Sequence, residues 1–408
     1  MSFFRCITVV STFVAVIGIW LASHYFGWLP INWRGDNGAA EVHLEYLQSW
    51  DSRTGHFESL RQKKFIHPVK ESEYQEIVGK LQFIWPRKGE RAGYILHFLH
   101  LRDVVPDELR PKDGLTFDEM LLIFLDSTAC EKNYGREQSM FELTRYGLRY
   151  TMPNRPSVTA QGHDDQVISM LAEQRLPLDT ELHVESKLAR NKFTINNLMT
   201  DLLARFSTRH EFEWSLLCIA QYDPKLNSWS NRFGEKYTFE EAVHELIKKD
   251  LARSSCCGMH VCTTVAALMQ LNEKYDIFSQ ETRELMDAYL ISVLLAVDET
   301  MAGAGIVNPL WHTSSSFAQW APSNQKSLKS SAPSSLIDQM LVTSHFIEFC
   351  STLPDSVKYD SQKLTPMYQF LNSSIRQLHP NQGRQYICPF SHSLKVVLSA
   401  RDKEGKEN

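Results

Sequence analysis

Met259-His260-Val261-Cys262-Thr263-Thr264-Val265 opens an apolar helical pattern directly behind a histidine, and the same arrangement recurs along the chain. It returns as Gly162-His163-Asp164-Asp165-Gln166-Val167-Ile168, as Ser344-His345-Phe346-Ile347-Glu348-Phe349 and as Ser391-His392-Ser393-Leu394-Lys395-Val396-Val397. Glu211-Phe212-Glu213-Trp214 falls in the same phase without a histidine. His163 to Glu213 spans 50 residues, Glu213 to His260 spans 47, and His345 to His392 spans 47. A period of this size is what one helix pair with its two loops occupies.

Apolar residues at three- and four-residue spacing predict helices over Ser72–Phe83, Phe117–Leu125, Asp165–Glu173, Thr194–Phe206, Glu211–Tyr222, Thr238–Ala252, His260–Leu271, Gln280–Val297, Ser334–Leu353, Thr365–Gln377 and Ser391–Ser399. Thr116 with Glu119, and Thr238 with Glu241, have the spacing of capping boxes. Strand signals are scarce. The fold class is therefore all-α, built of repeated helix pairs; closed on themselves they would form an α/α toroid, the form that the resemblance given below also favours, with an open solenoid as the alternative. His97 and His100 hint at one more pair near the start of the domain.

The N-terminus reads differently. No Asp, Glu, Lys or Arg occurs from Cys6 to Trp33, and Ile7–Ala22 is almost wholly apolar. About 20 such residues cross a bilayer core. Arg5 before the segment, and Tyr25, Trp28 and Trp33 after it, orient it with the domain on the non-cytoplasmic side of the cytoplasmic membrane. The alternative is a signal peptide cleaved near Ala22-Ser23. The expected organisation is an anchor over 1–30, a linker over 31–42, a toroid-like domain over 43–400 and a charged tail over 401–408.

Composition removes some functions. The 408 residues carry a net charge of -5, so no basic surplus exists to neutralise phosphates, and nucleic-acid binding has little support. The eight cysteines include no C-x-x-C pair, which excludes zinc ribbons and fingers on spacing. The expected partners are a membrane, through the N-terminal helix, and a small molecule, glycan or protein.

The repeated histidines supply the candidate chemistry. His163, His260, His345 and His392 at inner-helix starts would converge on one rim, as metal ligands or as acid and base. The competing reading makes each one structural to its own helix. Cys257 and Cys256, three and four residues before His260, share a face with it if helix geometry holds through Gly258; Cys257 and His260, with His163, His345 or Asp165, would then hold zinc. Gln166, Thr263, Glu348 and Lys395 follow the histidines by three residues and would face the same cavity, as would Trp214. Glu348 is the general-base candidate, with His345 and His163 beside it, and a salt bridge to Lys395 is its structural alternative. Trp229, Trp311, Trp320 and Tyr222 would line a pocket or fill the core.

The ordered runs Gly162-His163-x-x-Gln166, Leu171-Ala172-x5-Leu178-Asp179, Glu213-Trp214-Ser215, Cys257-Gly258-x-His260, Thr343-x-His345-x-x-Glu348 and Leu353-Pro354 resemble a family of uncharacterised membrane-anchored proteins from planctomycete-type bacteria. That family in turn resembles the terpenoid cyclase and protein prenyltransferase α/α toroids. The resemblance covers Leu115 to Leu398 and implies the toroid fold in a bacterial cell envelope. The chain departs from it at Gly258-Met259 and at Asn308-Pro309-Leu310-Trp311-His312-Thr313. It also lacks the D-x-D-D acid motif of squalene-type cyclases, so cyclisation by that route is not expected. A ligand-binding domain, a metal-dependent transferase or cyclase, a polysaccharide-acting enzyme and a non-catalytic envelope scaffold all remain open on sequence alone.

Overall fold

The computed structural model describes residues 60–135, 140–151, 161–184, 192–303, 305–320 and 334–401. The anchor, the linker, the first residues of the expected domain, most of the Ser323–Ser335 loop and all but the first residue of the tail lie outside the described residues. Among those described, no helix is long and apolar enough to cross a membrane.

The chain is mainly helical. Fourteen α-helices are described: α1 Glu71–Ile84, α2 Ala92–Leu99, α3 Phe117–Leu125, α4 Ser127–Tyr134, α5 Gln166–Glu173, α6 Ile195–Arg205, α7 Glu213–Tyr222, α8 Phe239–Ile247, α9 Met259–Tyr275, α10 Gln280–Thr300, α11 Leu336–Thr352, α12 Ser361–Gln377, α13 Pro380–Gln385 and α14 Ile387–Ser399. Three short antiparallel pairs accompany them: β1 Phe141–Thr144 with β2 Gly147–Tyr150, β3 Glu181–Leu182 with β4 Phe193–Thr194, and β5 Trp229–Ser230 with β6 Lys236–Tyr237. Most of these strands are two residues long, too short for alternation to register in a sequence.

Both expected capping boxes form. Thr116 Oγ1 accepts from the Glu119 amide at 3.0 Å while Glu119 accepts from the Thr116 amide at 2.8 Å. Thr238 and Glu241 repeat the arrangement at the start of α8. Such caps satisfy amides that have no intrahelical acceptor.

Burial sorts the helices into two kinds. All ten residues of α7 are buried, and α9 and α11 are buried over most of their circumference, as helices surrounded by other helices must be. By contrast, α12 buries Leu364, Met367, Tyr368, Leu371 and Ile375, a single stripe at three- and four-residue spacing. Along the buried set, α5 packs on α7, α7 on α9, α9 on α11, α11 on α14, and α14 on α2. The amphipathic helices pack outside them: α8 and α10 on α9, α12 on α11 and α14, and α1 on α12.

The extended segment from Leu60 to Lys70 crosses helix C-termini. Its Lys63 amide donates to Ser351 O at 2.8 Å and its His67 amide to Ala400 O at 2.9 Å. These bonds supply donors to carbonyls that a helix end leaves free.

Candidate metal centre

Three imidazoles meet in the middle of the buried helices. The ring centres of His345 and His392 are 4.0 Å apart, those of His260 and His345 4.9 Å, and those of His260 and His392 6.4 Å. His260 is the second residue of α9, but His345 and His392 sit in the middle of α11 and α14 rather than at their starts. The convergence therefore lies inside the helix layer.

Two thiols join them. Cys256, His260 and His345 form one set of donors whose ligand atoms lie within 4.8 Å of one another, and His345, Cys388 and His392 form another. The two sets share His345, and Cys256 and Cys388 are hydrogen-bonded to each other. Cys388 and His392 are one helical turn apart in α14, which puts both on one face.

Cys257 takes a different place from the one its spacing suggests. Helix geometry does not hold through Gly258: Cys256, Cys257 and Gly258 all have left-handed backbone, with φ of 50°, 55° and 80°. The three- and four-residue rule therefore fails, and the chain turns so that Cys256 joins the histidines. Cys257 packs against the hydrophobic core, its thiol pushed up to about 11 by burial, and its carbonyl accepts from Trp311 Nε1 at 3.1 Å. Asp165 is also engaged elsewhere. It accepts from Arg205 at 2.5 Å and from Ser215 Oγ at 2.5 Å, in a buried network that includes Asp201.

The hydrogen bonds behind the cluster orient its donors. His345 Nδ1 lies 2.7 Å from Leu341 O, so it carries the proton and donates. The opposite nitrogen, Nε2, is then a bare lone pair. It is buried and has no hydrogen-bond partner among the described residues, a state that costs about 1–3 kcal/mol if nothing fills it. His392 Nδ1 lies 2.8 Å from Glu348 Oε2, which turns the other nitrogen toward Cys388. Imidazoles that donate one N–H to a carbonyl or carboxylate and offer the other nitrogen inward have the outer-shell pattern of metal ligands.

Electrostatics divides the histidines. Burial, followed by repulsion from His392, pushes His345 down to about 4. Burial and the neighbouring imidazoles hold His260 well below the ordinary range as well. Burial opposes charge on His392 too, but the Glu348 carboxylate and Cys388 outweigh it and push it up to about 10. Hydrogen bonds, with Cys256 first and His392 and His97 after, draw the Cys388 thiol well below its usual range against the effect of burial. Glu348 is also burial-penalised, yet His392 and Lys395 hold it below the ordinary carboxylate range. Held as an anion on His392, Glu348 is a poor general base; its role is to position His392.

His163 lies to one side. A stack leads to it from the cluster: His260 to Trp214 at 4.2 Å, then Trp214 to His163 at 6.1 Å between ring centres. His163 Nδ1 lies 3.0 Å from Glu211 Oε2 and 3.1 Å from Ser255 Oγ, and Ser255 also donates to Glu211. Both neighbours meet the same nitrogen, so Ser255 is not placed as a nucleophile activated by His163. The Glu211 hydrogen bond raises His163 above its ordinary pKa despite partial burial.

One turn beyond the three clustered histidines, Thr263, Glu348 and Lys395 line a cavity of about 460 Å3. Gln166 does not reach it; its Oε1 accepts from the Gly162 amide at 3.2 Å. Trp229, Trp311, Trp320 and Tyr222 pack with core aromatics or backbone, and only Trp214 of the aromatic candidates stands beside the histidines. Sequence spacing offers Cys256 as well as Cys257 to His260, but nothing in it brings Cys388, Glu211, His97 or His100 to the site. His100 is 5.2 Å from His392 between ring centres, and His97 hydrogen-bonds Cys388.

No family model, curated protein or solved structure matches the chain.

Proposed function

We propose that this chain is a metal-dependent enzyme built on an α/α toroid, with zinc held inside the helix layer by Cys256, Cys388 and the histidines His260, His345 and His392. The observation that carries the reading is His345 Nε2: a buried lone pair without a partner among the described residues, on the one histidine common to both sets of three donors. The donor set suits zinc, which takes thiolate and imidazole together and sits about 2.0–2.3 Å from each. In a tetrahedron of that size the ligand atoms are about 3.3–3.8 Å apart, so separations within 4.8 Å require only small rotations. Softer donors of this kind argue against magnesium or calcium.

Each of the two donor sets offers three ligands, and a tetrahedral ion held by three keeps its fourth position open to a substrate, as a catalytic rather than a purely structural site needs. When bound, zinc supplies Lewis acidity to a substrate oxygen or sulfur. The chain's own residues then divide the work: Glu348 fixes His392, Leu341 O fixes His345, and His163, oriented by Glu211, exchanges protons beside Trp214. The toroid is supported by the buried helices packing in sequence order from α5 to α14 and on to α2, with the amphipathic helices outside them. The apolar run Ile7–Ala22 supports a single-pass tether with this domain on the non-cytoplasmic face.

A second reading has one observation behind it. Cys388, His392 and Glu348 stand in the order nucleophile, base and orienting carboxylate. Cobalt substitution separates the two. Intense thiolate-to-cobalt absorption that weakens in Cys388→Ala and disappears when Cys256→Ala is added supports the metal centre. Absence of that absorption, with rapid alkylation of Cys388 by iodoacetamide, supports the nucleophile instead.

A further inference from the structure

The 460 Å3 cavity lies where buried helices end. Glu173 is the last residue of α5, Gln221 the last but one of α7, Thr352 the last of α11 and Ser399 the last of α14, and all four line it. Four helix C-termini thus direct the negative ends of their dipoles toward one space.

The side chains add to that field. Glu173, Glu348 and Asp103 surround Lys395, and the half-buried Lys63, also in the lining, donates through Nζ to Pro354 O at 3.0 Å. His100 is within 3.0 Å of Glu173 and is kept neutral chiefly by burial. Gln221 is 2 % exposed and its Oε1 has no hydrogen-bond partner among the described residues. An acceptor buried without a donor is costly, and a ligand N–H would relieve it. Leu217, Ile347 and Tyr368 provide apolar wall between these groups, while Lys64 and Arg175 stand exposed at the mouth.

We propose that this cavity binds an organic primary ammonium on an apolar stem, with the ammonium held between the Glu173 carboxylate and Gln221 Oε1. The stem lies along Leu217 and Ile347, and any anionic end of the ligand faces Lys64 and Arg175. A lysine side chain or a short alkyl diamine has this chemistry. The site is one helical turn away from the candidate metal ligands and does not depend on a metal being present.

The test is calorimetric titration of the full chain with n-pentylammonium, beside 1-pentanol and pentanoate as neutral and anionic isosteres. The amine is expected to bind at least about tenfold more tightly than either isostere, since hydrogen bonds to charged groups contribute more than neutral ones. Glu173→Gln should weaken amine binding at least about tenfold. Gln221→Met, which keeps the volume and removes the acceptor, should weaken it severalfold and covers the case in which the Glu173 variant misfolds. Equal binding of amine and alcohol, no binding of the amine, or unchanged affinity in both variants would overturn the proposal. Cys256→Ala should bind the amine normally, so failure of the metal reading and failure of this one are told apart.

Discussion

His392 Nδ1 sits 2.8 Å from Glu348 Oε2, and the same carboxylate lines the cavity on its other side. Glu348 therefore joins two regions that are one helical turn apart: the thiol–imidazole cluster and the cavity lined by helix C-termini. A carboxylate in that position orients the imidazole and increases its basicity toward a metal.

Glu348→Gln keeps the shape and loses the charge. We expect zinc affinity to fall by about 10–100-fold, measured by competition with a chromophoric chelator, with the helical circular dichroism unchanged. Unaltered affinity would remove Glu348 from the metal's outer shell.

The Glu211–His163 pair sets a pH dependence. His163 is raised above its ordinary 6.5, so its contribution to stability is full below 6.5 and is lost as pH rises through the higher folded value. Glu211 is lowered from 4.5, so its contribution is present above 4.5 and is lost as pH falls through the lower folded value. The pair is thus most stabilising between about 4.5 and 6.5. Histidine NMR should show His163 titrating above 6.5, and Glu211→Gln should bring it down; a His163 indifferent to that change would contradict the assignment.

Gly258 has φ of 80°, and a Cβ there would meet Leu251 Cβ at 2.7 Å. Gly258→Ala should cost at least about 1–2 kcal/mol from the left-handed backbone alone, read by chemical denaturation. Because the same turn delivers Cys256 to the histidines, zinc content should fall with it.

Arg205 bridges Asp165 and Asp201 at 2.5 and 2.6 Å. Arg205→Ala would strand two buried carboxylates. About 3 kcal/mol is expected, the low end for breaking a buried pair, because 22% of the arginine side chain still reaches solvent. Thermal unfolding that matches the parent would show the network to be dispensable.

Much of the helical plan is legible in the residues, for reasons the structure makes plain. Thr116 and Thr238 cap the helices they precede, and the recurring histidine places His260, His345 and His392 on helices that pack against one another. What is not legible depends on geometry that periodicity cannot carry. Cys256 and Cys257 both have helical spacing to His260, and the choice of Cys256 is made by three consecutive left-handed residues that break the helix rule just before α9. Cys388 follows Ile387 at the first turn of α14, far along the chain from Cys256, and only the packing of α9, α11 and α14 brings the two thiols together. The end of α8 at Ile247, short of the expected Ala252, has a similar cause: the chain leaves the helix and forms a short 3-10 turn over Leu251–Arg253. His97 and His100 belong to a helix of only eight residues and its C-cap, where apolar character all round hides the inward face.

The most direct test is metal content of the purified full chain beside three variants: Cys256→Ala, Cys388→Ala and Cys257→Ala. The proposal requires about one zinc per chain in the parent and in Cys257→Ala, as a single four-coordinate site would hold, with weaker retention in each of the other two and loss when they are combined. A well-folded parent without zinc, or zinc retained when Cys256 and Cys388 are both removed, would contradict it, and the histidines would then be read as structural.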